Sequence, residues 1–162
     1  MTAALERLNA LGDAEAQEEL RRFCGSKEWA RRMARARPFP DVSRALEAAE
    51  RIWESLGKED WLEAFRAHPR IGDRATSGRE AREQAGAQAA TAEVRVHLSE
   101  ANRLYEERFG HVFLVDATGK TGAEMLELLR QRIGTEPEEE LRIAAGEQRK
   151  ITRRRLEGAL GK

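Results

Sequence analysis

Val42, Ala45, Leu46, Ala49, Ile52, Trp53 and Leu56 recur at intervals of three and four residues. That spacing gathers apolar side chains onto one face of a helix. Asp41, just before the run, carries the short side-chain oxygen that caps a helix start, and Gly57 is the expected stop. The same period governs nearly the whole chain. Asp13 is the expected cap of a helix running through Leu20 and Phe23 to about Cys24. Ser26 is the expected cap of the next, "KEWARRMARA", which ends before Pro38. Trp61, Leu62 and Phe65 form a short helix that ends near Ala67, because Pro69 biases His68 away from helical geometry.

Beyond that exit, "GREAREQAGAQAA" reads as a helix loosened at Gly86. Longer helices follow from Thr91 to Phe109, from Thr121 to about Arg132, and from Pro137 in the first turn to about Leu160. The stretch "HVFLVDATGKT" interrupts them. Its β-branched and aromatic residues suit a short extended segment, but no partner strand stands elsewhere, so no sheet is expected. With no repeat and no linker, the expectation is an all-α fold: one compact bundle of about seven or eight helices forming a single domain over residues 1–162.

Charge and cysteine content narrow the function. Lys plus Arg and Asp plus Glu number 29 each, so no global field draws nucleic acid or an anionic membrane. The lone Cys24 rules out a disulfide framework or a cysteine zinc cluster within one chain, and suits a reducing interior. No apolar run approaches the roughly 20 residues that span a bilayer. The opening "MTAALERLNA" lacks a signal-peptide core, so a cytoplasmic location is expected. "DATGKTG" has Leu114 where a phosphate loop needs its first glycine, and the histidines and Cys24 show no metal-ligand spacing.

Three histidines remain. His97 lies mid-helix, as a surface or boundary residue would. His111 follows Gly110, where a helix C-terminus favours a cation. His68 differs: it stands at a forced helix exit, followed by Pro69 and the turn-permitting Gly72, and a loop histidine on a rigid scaffold suits acid–base work. A C-cap histidine is the plainer alternative. Glu83 and Gln84 sit among Ala81, Ala85, Ala87, Ala89 and Ala90, small residues that let a backbone come close. They offer a carboxylate and an amide, or merely a solvated face. In the last helix, Leu141, Ala144, Gln148, Ile151 and Arg155 share one phase. A partly buried Arg155 needs an anion, either a protein carboxylate or a substrate group, whereas Arg153 and Arg154 point elsewhere.

Several blocks then agree with one family. "HPRIGD" (68–73), "EQAGA" (83–87), N-x-x-Y-x-x-R-F-G-H-V-F-L-V (102–115) and K-I-x-x-x-R-L (150–156) are similar to those of the 2-oxo-4-hydroxy-4-carboxy-5-ureidoimidazoline (OHCU) decarboxylases. So is the upstream set Trp29, Arg32, Met33, Arg37, Pro38 and Phe39. The resemblance spans residues 5 to 160 in order.

The resemblance implies a cofactor-free, metal-free, all-helical carboxy-lyase. It would convert OHCU to (S)-allantoin and CO2, ending the conversion of urate to allantoin in purine breakdown, and would act as a homodimer on a small-molecule substrate. Position by position, it places the catalytic residues on His68, Glu83 and Arg155. Substrate binding falls on Pro69, Gln84 and the segment Phe113, Val115, Asp116 and Ala117. Two departures stand out: Glu80 where many relatives carry Ser, and Asp116 where many carry Cys. The rival readings are a non-catalytic helical module that docks through "RKITRRR" (149–155), and a decarboxylase of a related ureido or imidazoline acid.

Overall fold

The structure is a computed structural model that describes residues 1–73 and 78–162. Arg74 and Ala75, which close the stretch around the His-Pro exit, lie outside the described residues. Ten helices and no strand occur among the described residues. They are α1 (Ala3–Ala10), α2 (Asp13–Arg21), α3 (Lys27–Arg35), α4 (Val42–Ser55), α5 (Lys58–Phe65), α6 (Gly78–Glu83), α7 (Ala85–Gln88), α8 (Ala92–Phe109), α9 (Gly122–Ile133) and α10 (Pro137–Leu160). Eight are of ordinary length. The two short ones, α6 and α7, are the halves of a single expected helix, and the break falls at Gln84 rather than Gly86.

The caps explain most boundaries. Ser26, Asp41, Thr91 and Thr121 each accept a hydrogen bond from a first-turn backbone N–H of the helix they precede. Two expectations need correction. Gly12, not Asp13, is the N-cap of α2. Asp13 is the first helical residue, where its charge suits the positive helix end and its carboxylate accepts from Gln17 at 2.7 Å. Gly57 is not a left-handed stop: α4 ends on extended Leu56, and Gly57, with φ of −89°, begins α5. Helix α1 was not expected. Only Leu5 and Leu8 of it are buried, too few to mark a period, and Thr2 caps it.

The chain divides into two compact units: residues 1–67 with 148–162, and residues 68–147. The crossing from the first to the second falls between Ala67 and His68, at the His-Pro exit. In the first unit, α2 and α4 pack on α3, as does α5. Trp29 is fully buried and its indole N–H donates to the Ala49 carbonyl at 3.1 Å. Arg37 donates to the carbonyls of Leu8, Leu11 and Ala34 at 2.6–3.0 Å, answering the orphan carbonyls at the ends of α1 and α3. The Trp29 and Arg37 positions of the upstream block are therefore structural.

In the second unit, α8 packs along α9, and α7 packs on α9. Leu98, Ala101 and Tyr105 of α8 meet Met125, Leu126 and Leu129 of α9. Ile71, Ala87, Phe113, Val115 and Ala117 join the same apolar cluster. One core thus holds the turn after His68, the helix after Gln84 and the irregular segment before α9.

Candidate active site

The turn is built first. Helix α5 ends at Phe65, and His68 and Pro69 are half-buried in the irregular chain that follows. Arg70 to Asp73 close a β-turn, with the Asp73 N–H donating to the Arg70 carbonyl at 3.2 Å. Gly72 has φ of +92°, a left-handed value that glycine adopts without a Cβ clash, and the third residue of a type II turn requires it. Side chains from two helices fasten this turn. Gln84 Oε1 accepts from the Gly72 N–H at 3.2 Å. Gln88 donates to the Asp73 carbonyl at 3.0 Å. Asn102 of α8 donates to the Ile71 carbonyl at 2.8 Å, and Arg70 pairs with Glu106 at 2.8 Å.

Gln84 is only 8% exposed. Its oxygen must face a backbone N–H, which settles the orientation of the amide. With that oxygen committed to Gly72, the group Gln84 has left to offer a ligand is its NH2 donor. Glu83 and Glu80 are both half-buried at this end of α6.

The small residues around this pair have a specific use. A Cβ on Gly86 would stand 1.8 Å from the Lys120 carbonyl oxygen, and one on Gly122 would stand 2.7 Å from the Ala90 Cβ. Backbone therefore meets backbone where α7 touches the start of α9, an approach any larger residue at 86 would prevent. An open cleft of about 510 Å³ lies along this junction, between Ala85–Val94 and Ala117–Ala123, with Arg82 at its margin.

The second irregular segment, residues 112–117, is buried from Phe113 to Ala117. Its backbone groups lack a helical ladder and are taken up by charged side chains. Arg132 donates to the Leu114 carbonyl at 2.6 Å and lays its guanidinium over the Phe113 ring at 4.6 Å. Glu147 accepts from the Asp116 N–H at 3.0 Å, and Lys120 donates to the Asp116 carbonyl at 2.7 Å. The Asp116 carboxylate turns back toward its own chain and accepts from Thr118 N–H at 3.4 Å.

Behind this segment, Arg132 forms a charge-assisted pair with Glu140, the two being 11% and 0% exposed. Tyr105 lies against Phe113 and Phe109 at 5.4 and 4.6 Å. Burial, then the Glu140 carboxylate, pushes its phenol above the usual range, while Arg132 opposes that shift.

Arg155 belongs to the other unit. It is half-buried, as its phase requires, and donates to the Phe23 carbonyl at 3.2 Å. Arg153 and Arg154 are exposed, and Arg153 pairs with Glu50 and Glu157 at 2.7 Å. The buried stripe of α10 runs through Glu140, Ala144, Gln148, Thr152, Leu156 and Leu160, so Leu141 and Ile151 lie at its margin rather than its centre. His97 stands 3.9 Å from Glu93 on the surface of α8. His111 stacks its ring beside Phe109 and against Tyr105, beyond the Gly110 helix stop. Burial raises the Cys24 thiol to about 11, leaving it a poor nucleophile at neutral pH.

The structure thus gathers the turn after His68, Gln84 and residues 113–117 around one core. Sequence reading missed the groups that fasten them: Asn102, Arg132, Glu140 and Glu147. Glu140 had a readable signal, since it stands four residues before Ala144 and in phase with it. Asn102 was part of a recognised motif, but nothing in its spacing marks it as buried.

The family model for OHCU decarboxylase matches residues 9–157. The uric acid degradation bifunctional protein TTL of Arabidopsis thaliana is 40% identical over 149 residues, 86% of this chain and 46% of its own length. The 2-oxo-4-hydroxy-4-carboxy-5-ureidoimidazoline decarboxylase of Mus musculus is 36% identical over 105 residues, 60% of this chain and 58% of its own. The chain therefore spans about half the length of these two curated relatives. A crystal structure of OHCU decarboxylase in the presence of (S)-allantoin superposes with a TM-score of 0.82 at 36% identity, covering 90% of this chain and 99% of that one. With the match running through nearly every helix, the chain belongs to the OHCU decarboxylase family.

Proposed function

We propose that this protein decarboxylates OHCU to (S)-allantoin and CO2. The observation that carries the reading is the fastened His-Pro turn: His68 leaves a helix on a backbone restricted by Pro69 and tied down three residues later. In the reaction, the bond from the ring carbon to its carboxylate breaks and CO2 departs. The electron pair passes into the conjugated ring, and a proton added to one face sets the (S) configuration. The chain's part is to orient the carboxylate, stabilise the developing charge and hold one proton donor in place.

His68 is that donor, steering the substrate hydroxyl or carboxylate and then protonating the ring carbon. Glu83 accepts from ring or ureido N–H groups. Gln84, its oxygen already used, donates its NH2 to a substrate oxygen. Pro69 and the segment Phe113, Val115, Asp116 and Ala117 supply the remaining binding surface. The anion-holding role of Arg155 rests on the sequence resemblance. A homodimer in the cytoplasm, built from residues 1–162 as one catalytic domain, completes the reading.

The docking-module rival is disfavoured because Arg149 and Arg153 of "RKITRRR" already pair with Glu54, Glu50 and Glu157. The test generates OHCU in situ from urate and follows circular dichroism for (S)-allantoin. Wild type is expected to accelerate a stereospecific signal, and His68→Ala to lose on the order of 10²–10⁴ in rate while keeping its helicity. A folded His68→Ala variant with wild-type activity rejects the role of His68. A wild type no faster than spontaneous racemic decay rejects the reaction.

A further inference from the structure

The Ile71–Gly72 peptide is the central peptide of the turn, and it is gripped on both edges. Its carbonyl accepts from Asn102 Nδ2 at 2.8 Å, and its N–H donates to Gln84 Oε1 at 3.2 Å. In β-turns this peptide is the one that can rotate, converting type II to type I. A glycine in the third position tolerates both forms. Apart from the two amides, no hydrogen bond among the described residues ends on this peptide; the nearest, a long contact from Arg95 to the Gly72 carbonyl at 3.5 Å, lies on the far side of that residue.

Asn102 itself is out of place by ordinary packing rules. It is 2% exposed, on the face of α8 that carries Leu98, Ala101 and Tyr105. Its Oδ1 has no partner among the described residues. A buried, unpaired amide oxygen costs about 1–3 kcal/mol, and an apolar residue would avoid that one cost. What an apolar residue would not do is donate to Ile71.

We infer that Asn102 is a positioning residue, which locks the Ile71–Gly72 peptide and thereby sets where His68 stands. Two residues, Pro69 and Arg70, separate His68 from the locked peptide, and Pro69 removes one of the free torsions between them. The effect of Asn102 on chemistry passes wholly through the turn. This inference rests on the proposed decarboxylation for its kinetic readout, but not for its structural one.

The test compares Asn102→Leu and Asn102→Asp with wild type. In Asn102→Leu, kcat is expected to fall on the order of 10- to 100-fold, as for a small displacement of a reacting group, with KM little changed. Amide exchange should speed up in the peptide that carries Ile71 to Asp73 and stay unchanged across α9. Wild-type kcat with unchanged exchange in that peptide overturns the inference, as does faster exchange spread equally over the whole second unit.

Asn102→Asp serves should the leucine variant fail to fold. Only a protonated carboxyl can donate to the Ile71 carbonyl, so its activity relative to wild type should rise as pH falls. A flat ratio overturns the inference. If wild type makes no (S)-allantoin, the proposed function fails, and exchange at residues 71–73 still decides the lock.

Discussion

The turn at 70–73 and the segment at 112–117 lie on one core and face the same problem, yet different chemistry holds them. The segment is buried from Phe113 to Ala117, and the turn is buried at Ile71 and half-buried at Gly72; neither has a helical ladder, so these N–H and C=O groups need side-chain partners. Neutral amides grip the backbone of the turn: Gln84, Gln88 and Asn102, with the Arg70–Glu106 ion pair outside them at the surface. Charged groups hold the segment: Arg132 with Glu140 behind it, Glu147 and Lys120. A neutral hydrogen bond contributes about 1 kcal/mol net and can be exchanged locally. A buried charge has no such freedom, because whichever partner remains must stay neutralised. The comparison teaches that neutral groups, each replaceable by another, hold the backbone of the turn, whereas charges that must stay paired hold that of the segment.

The sharpest way to break this contrast is at Arg132. Arg132→Met leaves Glu140 buried without its cation and should cost about 3–5 kcal/mol of stability, read by urea unfolding. Adding Glu140→Leu should return most of that loss, since an apolar pair of similar volume is often neutral. A single variant as stable as the double one would mean the segment is held no more firmly than the turn.

The next effect is expected where the two systems touch. Gly86 lies between Gln84 and Gln88, which grip the turn, and its Cβ position is occupied by the carbonyl of Lys120, whose ammonium grips Asp116. Gly86→Ala must push α7 off the start of α9 and should destabilise by about 1–3 kcal/mol, as overpacking does. Thermal unfolding measures it, and a variant with unchanged Tm would show that the backbone approach has slack.

The smallest effect belongs to the cap that ends the segment. Thr121 and Glu124 form a reciprocal capping box at α9. Hydrogen bonds from Thr121 hold the Glu124 carboxyl below its usual range. A depressed carboxylate contributes stability above its ordinary pKa and loses it as pH falls through the lowered one. Thr121→Ala removes the hydroxyl that accepts from the Glu124 N–H, and loss of that cap should cost about 1 kcal/mol at neutral pH. It should cost less in acid, where Glu124 is protonated in either protein. An equal loss at both pH values would place the stabilisation in the threonine alone.

Much of this was legible before any coordinates. The apolar period marked every helix of ordinary length except α1, and capping residues placed most of their starts. Proline and glycine located the exit and turn around His68, and the run of small residues announced a close backbone approach. Motif blocks spread over the whole chain pointed to the family. Local chemistry determines such features: capping, φ restriction and helical phase are properties of a few neighbouring residues.

Tertiary structure alone decided the rest. Glu140 stands in phase with the buried Ala144, but its partner is unread until Arg132, eight residues earlier on another helix, is seen to meet it. Asn102 reads as one polar residue of an amphipathic helix until Ile71 presents its carbonyl. Gln84 reads as a ligand donor and acceptor until Gly72 takes the acceptor. Each depends on a hydrogen bond between residues distant in sequence or on different elements, and no period or spacing along a chain encodes which backbone group will arrive opposite which side chain.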